Sequence, residues 1–272
     1  MTLRRTLAPA AIACFVALAT VTTSRAQDAV DVTLVLAVDV SWSMDADEKQ
    51  VQRDGYVAAF RDRDVIQAIR EGGWGAIAVT YVEWGGAALG QVLVPWRRIH
   101  DHASANAFAD ELAAAPIGRL TRTSISSAMD ISRRLLDASP FKGIRRVVDI
   151  SGDGPNNQGP PVDETRDMLV SRGITINGLP VIFKRNNPSG FPSVENLDVY
   201  YEDCVIGGTG AFIIPVTDTS QFAAAIRRKL LLEIAAAEPQ VVPAQEERRT
   251  GGTDCLIGEK MWQMWRQRID WQ

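Results

Sequence analysis

Six short apolar runs rich in β-branched residues punctuate the chain: VTLVLAVDV at 32–40, GAIAVTYVEW at 75–84, GQVLVPW at 90–96, RRVVDIS at 145–151, GITINGLPVI at 173–182 and GAFIIPV at 210–216. A strand with one wet face alternates apolar and polar residues, whereas near-continuous runs of this kind belong to strands covered on both sides. Helical segments supply the cover. DADEKQVQRDGYVAAFRDRDVIQAIREG sets Val51, Ala58, Ala59, Val65, Ile66 and Ile69 near helical spacing ahead of Gly72 and Gly73, and predicts one long helix that can break near Arg63. SANAFADELAAA stops before Pro116, TSISSAMDISRRLLDAS opens on a capping residue, VDETRDMLVSRG ends on Gly173, and DTSQFAAAIRRKLLLEIAAA starts with Asp218 or Thr219 as its cap. The runs at 75–84 and 90–96 lie too close together for a helical crossover and pair as a hairpin. The expected fold is α/β: a doubly wound, mostly parallel central sheet flanked by helices, with one antiparallel edge hairpin.

The two ends read differently. MTLRRTLAPAAIACFVALATVTTSRAQ joins Arg4 and Arg5 to a short apolar stretch and a small-residue site, Ser24-Arg25-Ala26, the pattern of a secretory signal over residues 1–26. Its apolar part is shorter than the roughly 18 residues that a spanning helix needs, so no transmembrane segment is expected. The expectation is an exported protein, periplasmic or extracellular. The core domain is placed at 27–237, followed at 238–254 by EPQVVPAQEERRTGGTD, whose prolines, charges and paired glycines suit a linker. The tail at 255–272 carries Met261, Trp262, Met264, Trp265 and Ile269 on roughly one helical face, and a short helix docked on its own domain is the expected form, in preference to a membrane or partner contact. A formal charge of −4, made more acidic once the leader and its three arginines are gone, speaks against a nucleic-acid partner. With Cys14 in the leader, Cys204 and Cys255 are the even pair that would enter an oxidising compartment; a disulfide is the expectation, two buried thiols the alternative.

In an open parallel sheet, ligands sit beyond the carboxyl ends of the strands. Asp39 stands where the first such strand should end, and Ser41 and Ser43 follow on alternate residues, so all three can project to one side. One carboxylate and two hydroxyls are hard oxygen donors, suited to Mg²⁺, Mn²⁺ or Ca²⁺ rather than zinc or copper. Taken alone, the serines better suit the cap of the next helix. Two other strand ends add to the group: LTRTSISSAM brings Thr123, and VVDISGDGPNN brings Asp153 between Gly152 and Gly154, which permit a tight turn.

DVSWS, TSISSAM and ISGDG resemble, in order, the three motifs of the metal-ion-dependent adhesion site of the von Willebrand factor type A domain. The resemblance implies that Ser41 and Ser43 bind a divalent cation directly, with Thr123 joining directly or through water. It implies that Asp39 and Asp153 act through water and hydrogen bonds, and that a partner protein's Asp or Glu completes the shell. Mg²⁺ is the expected ion. Across residues 31 to about 236 the strings GYVAAF, IAVTYVEW, DISGDGPNNQG, GITINGLP and YYEDCVIGGTGAF are similar to an exported bacterial family of type A-like proteins to which no activity is attached. Trp42, between the two serines, either lines the ion site or packs on a neighbouring loop. The Asn156-Asn157 pair either turns its loop in left-handed geometry, the favoured reading, or offers amides to a ligand.

Catalysis is the weaker expectation. His100 and His102 are the only histidines, they lie together in a polar segment, and no GxSxG accompanies them. A Mg²⁺-dependent hydrolase or phosphatase using Asp39 and Asp153 is the enzymatic alternative, but position 41 is serine where such a phosphatase has its second aspartate, and no basic residue adjoins either motif. A metal-free scaffold whose hydroxyls tie loops together is the third reading. The preferred function is a secreted, metal-dependent protein-binding module and not an enzyme.

Overall fold

The computed structural model describes residues 29–182, 194–235 and 252–269. The leader and most of the linker expected from the sequence lie outside the described residues. Five strands, β1 (Ala29–Asp39), β2 (Ile77–Trp84), β3 (Gly90–Ile99), β4 (Lys142–Gly152) and β5 (Ile174–Pro180), form one sheet in the order β3-β2-β1-β4-β5. All neighbours are parallel except β2 and β3, which form the antiparallel edge hairpin.

The central strand shows why the apolar runs are continuous. Leu34, Leu36 and Val38 of β1 feed one core, with α1 (Ala46–Arg61), α2 (Arg63–Arg70), α3 (His102–Ala114) and α7 (Phe222–Ala235) over it. Val35 and Ala37 feed the opposite core, under α4 (Ile125–Asp137), α5 (Val162–Val170) and the short α6 (Leu197–Tyr200), which runs into a π-helical turn at Tyr201–Val205. Alternation survives, but both faces find apolar partners.

The long helix breaks at Asp62, whose extended backbone ends α1 and whose carboxylate accepts from the Asp64 and Val65 amides to start α2. The run at 210–216 is not a regular strand. Phe212, Ile214 and Val216 do bond to β5, through Gly178 N–H to Phe212 O at 3.0 Å and Val216 N–H to Pro180 O at 2.9 Å. Between those bonds the ladder needs a donor at residue 180, and proline has none, so only isolated bridges remain. Near the end of the chain, α8 (Ile257–Ile269) is tied back to the π turn by the Cys204–Cys255 disulfide. No helix among the described residues is long and apolar enough to cross a membrane.

Candidate functional site

The carboxyl edge of the sheet assembles the site. β1 ends on Asp39, which lies opposite Trp84 of β2, while its neighbour Val38 lies opposite Ser151 of β4. The chain turns at once: the Ser41 amide donates to Asp39 Oδ1 at 2.7 Å, an Asx-type turn that lifts the two serines off the strand. Ser41 Oγ and Ser43 Oγ are 2.9 Å apart, and Ser43 Oγ donates to Asp153 Oδ1 at 2.6 Å. The helix-capping alternative for these serines is not the arrangement found. Asp45 caps α1 in a reciprocal box with Glu48, accepting the Glu48 amide at 2.8 Å while the Glu48 carboxylate accepts the Asp45 amide at 2.9 Å. Both hydroxyls are left to the loop edge.

Thr123 reaches the same place from the other side. Its amide donates to Asn157 Oδ1 at 3.1 Å, and its carbonyl accepts the Asn157 amide at 2.9 Å. Neither Asn156 nor Asn157 has a positive φ, contrary to the favoured expectation of left-handed turn residues. They are fasteners. Buried Asn156 accepts from the Ser126 amide at 3.1 Å and donates to Glu259 of α8 at 2.6 Å, and its own amide donates to Tyr200 Oη at 3.1 Å. The chain bends at Asp153 and Gly154 as expected, but Gly154 has open space where a Cβ would go and no positive φ, so the bend does not require glycine there.

Gly152 matters for closeness instead. A Cβ there would sit 2.9 Å from Tyr201 Oη and 3.1 Å from Asp39 Oδ2. Those two atoms are buried and have no hydrogen-bond partner among the described residues. Burial, and then the charge of Asp153, hold the Asp39 carboxyl well above the usual carboxylate range against the Ser41 bond that favours ionisation. Burial also raises the Tyr201 hydroxyl, with Asp39 and Asp153 adding to it. The pattern of apolar and polar residues held no sign of Tyr201; its place is set by the π turn, which no motif in the sequence announces.

A cavity of about 360 Å³ opens over this cluster, and Ser41, Ser43, Thr123 and Asn157 form its polar floor. Trp42 both lines it and packs on a neighbouring loop, with the Arg119 guanidinium 5.2 Å from its ring centre. The far wall is α8. Trp262 and Trp265 stack with ring centres 4.9 Å apart, and Arg122 lies 4.0 Å over Trp262. Met264 does not share that face: it is 58% exposed, because two residues along a helix turn the side chain by roughly 200°. His100 and His102 stand at the start of α3, at the opposite edge of the sheet from the cluster, and are exposed.

Among the described residues, no group of three or more His, Cys, Asp or Glu is placed to hold a metal ion. The hydroxyls of Ser41, Ser43 and Thr123 at the cavity floor suit a hard divalent ion, and behind them Asp153, bonded to Ser43, and Asp39, with one orphaned buried oxygen, add two carboxylates for charge.

Several solved structures share the fold. Proximal thread matrix protein 1 from the mussel byssus is similar at 12% identity and TM-score 0.55, over 76% of this chain and 48% of that one. The same mussel protein has been solved with a zinc-occupied MIDAS motif. A von Willebrand factor type A protein from Catenulispora acidiphila is similar at 16% identity and TM-score 0.51, over 76% and 43%. The pilus adhesin SpaC from Lactobacillus rhamnosus GG matches at 10% identity and TM-score 0.55, over 76% and 31%. The chain thus spans less than half the length of each. No curated protein sequence matches it. The model of a family described as "Protein of unknown function (DUF1194)" matches residues 29–238. The chain therefore belongs to that family, and its fold is that of a von Willebrand factor type A domain.

Proposed function

We propose that this domain is an exported, divalent-cation-dependent protein-binding module. The observation that carries the reading is Asp39 Oδ2, a buried carboxylate oxygen without a hydrogen-bond partner among the described residues, next to the Ser41 and Ser43 hydroxyls, which open on a cavity, and to Asp153, which accepts from Ser43. Burying such an oxygen without compensation is costly, and a cation is the compensation that its surroundings suit. Ser41, Ser43 and Thr123 would hold the ion, with Asp39 and Asp153 supplying charge through water and hydrogen bonds. Bound there, Mg²⁺ would supply an electrophilic site able to accept a carboxylate oxygen. Few charged direct donors leave that electrophilicity largely unspent. The shared fold with an adhesin and a matrix protein supports binding as the role, and the zinc-occupied motif of the mussel protein supports a metal at this edge. The Cys204–Cys255 disulfide supports an oxidising compartment.

The test is thermodynamic. Mg²⁺ at 100 times its dissociation constant should stabilise the protein by roughly 2.7 kcal/mol in chemical denaturation. Ser41→Ala with Ser43→Ala should remove that gain and leave the ion-free fold intact. No stabilisation by millimolar Mg²⁺, Mn²⁺ or Ca²⁺ returns the scaffold reading. Turnover of phosphate esters that is lost in Asp39→Asn returns the hydrolase.

A further inference from the structure

One wall of the cavity over the cluster, Trp262 and Trp265, comes from a helix outside the family match, since α8 lies beyond residues 29–238. Its docking is specific rather than a loose apolar contact. A Cβ on Gly258 would come within 2.0 Å of Asn156 O, so only glycine lets the helix backbone approach this closely. Glu259 accepts the Asn156 amide at 2.6 Å, and the disulfide anchors the helix start. The chain opposite is shaped to meet it: Arg122 adopts φ +65°, a left-handed conformation unfavourable for a non-glycine residue, and its guanidinium stacks on Trp262. Strained positions of this kind concentrate at ligand sites.

The result is a polar floor of hydroxyls under apolar walls of Trp42, Trp262 and Trp265, with Arg122 on the rim. At about 360 Å³ the space is in the range of pockets that enclose a ligand group. The aromatic surface and the arginine together select an anion that carries a flat apolar group. We propose that α8 is the specificity-determining half of the site. On this view, which rests on the cation reading above, the partner group it takes is a carboxylate with an adjacent aromatic or large apolar side chain, such as a protein's Asp or Glu next to an aromatic residue. The carboxylate meets the floor. The neighbouring ring lies among the three indoles.

Acetate and phenylpropionate are the simplest probes, titrated by calorimetry into the whole chain saturated with Mg²⁺. The expected result is about tenfold tighter binding of phenylpropionate, the amount one aromatic contact contributes. Trp262→Ala with Trp265→Ala should bring the two acids within about twofold of each other, and Trp262→Phe with Trp265→Phe should keep most of the preference, which separates lost ring surface from lost docking. Equal binding of the two acids by the unaltered chain overturns the proposal. So does a preference that survives the alanine variant, or tighter binding of both acids by it, which would make α8 a shield. A prior titration with Mg²⁺ alone that gives no heat overturns the cation reading and this one with it. Mg²⁺ binding without discrimination overturns only this one.

Discussion

Asp149 with Glu233, and Asp39 with half-buried Asp153, are two pairs of acids away from bulk water, and they are answered differently. Inside the first core, Asp149 of β4 and Glu233 of α7 share Lys229, which lies 2.8 Å from Asp149 and also pairs with Glu233 one helical turn on. Asn177 of β5 donates to Glu233 at 3.0 Å, and all three charged side chains are essentially out of solvent. At the sheet edge, Asp39 and Asp153 are again two carboxylates near each other, and the cation acting on Asp39, Lys49, counts for less than burial or Asp153. One cluster carries its counter-charge in the covalent chain. The other opens on a cavity floored with hydroxyls. The contrast teaches where to look for a ligand: not at buried charge as such, but at buried charge whose partner the fold does not itself provide.

The comparison breaks most visibly at Lys229. Lys229→Met should cost about 3–5 kcal/mol of stability in urea denaturation, because two acids would stay buried without their cation, and added Mg²⁺ should recover none of it. A small loss there would mean that the interior cluster does not depend on its lysine and that the contrast is empty.

The next effect is one of pH and is smaller. Asp39 is held well above its usual range by burial and by Asp153, and burial, opposed by Lys229 and helped by Glu233, pushes Asp149 up to about 7. The folded chain therefore keeps protons that the unfolded chain releases in the ordinary carboxylate range. Stability from these groups is full below that range and is lost as pH rises, for Asp149 between about 4 and 7. Asp39→Asn should remove part of that decline, leaving the ion-free protein about 1 kcal/mol more stable near neutral pH. It should also abolish the response to Mg²⁺. In the unaltered chain, Mg²⁺ affinity should rise with pH because the ion competes with the proton. A denaturation series across pH with and without the ion reads all three. Flat Mg²⁺ affinity across the series would separate Asp39 from the ion.

The smallest effect sharpens the role of burial. Arg227 of α7 pairs with Asp62 at 2.9 Å and also with Asp64, one cation to two acids as at Lys229, but in water. Arg227→Ala should leave the unfolding midpoint essentially unchanged, since solvent replaces the lost partner. A large shift would show that the number of charges, and not their burial, governs the Lys229 cluster.

The sheet was readable because both-sided burial forces its strands into continuous apolar runs, and DVSWS stood out only together with TSISSAM and ISGDG at two other strand ends. Tertiary effects were not readable. Whether Asp62 would end one helix and begin another depends on its backbone, and Pro180 interrupts a ladder only because Ile214 happens to run beside it. The sequence favours turn chemistry for the Asn156-Asn157 pair because local sequence cannot show that the Ser126 and Thr123 amides stand within reach of its side chains. The tail's apolar residues were placed on a single face, and Met264 departs from it for a reason of pure helical geometry. Tyr201 and the packing role of Gly152 belong to contacts between segments far apart in the chain.

The sulfur bridge between Cys204 and Cys255 spans 51 positions and encloses both α7 and the connection to α8. Cleavage of a peptide bond anywhere inside that span would cut the polypeptide in two yet leave the tryptophan wall fastened at its post. A proteolytic nick there would pass unnoticed on a non-reducing gel, and a thiol reductant would be what finally parts the fragments.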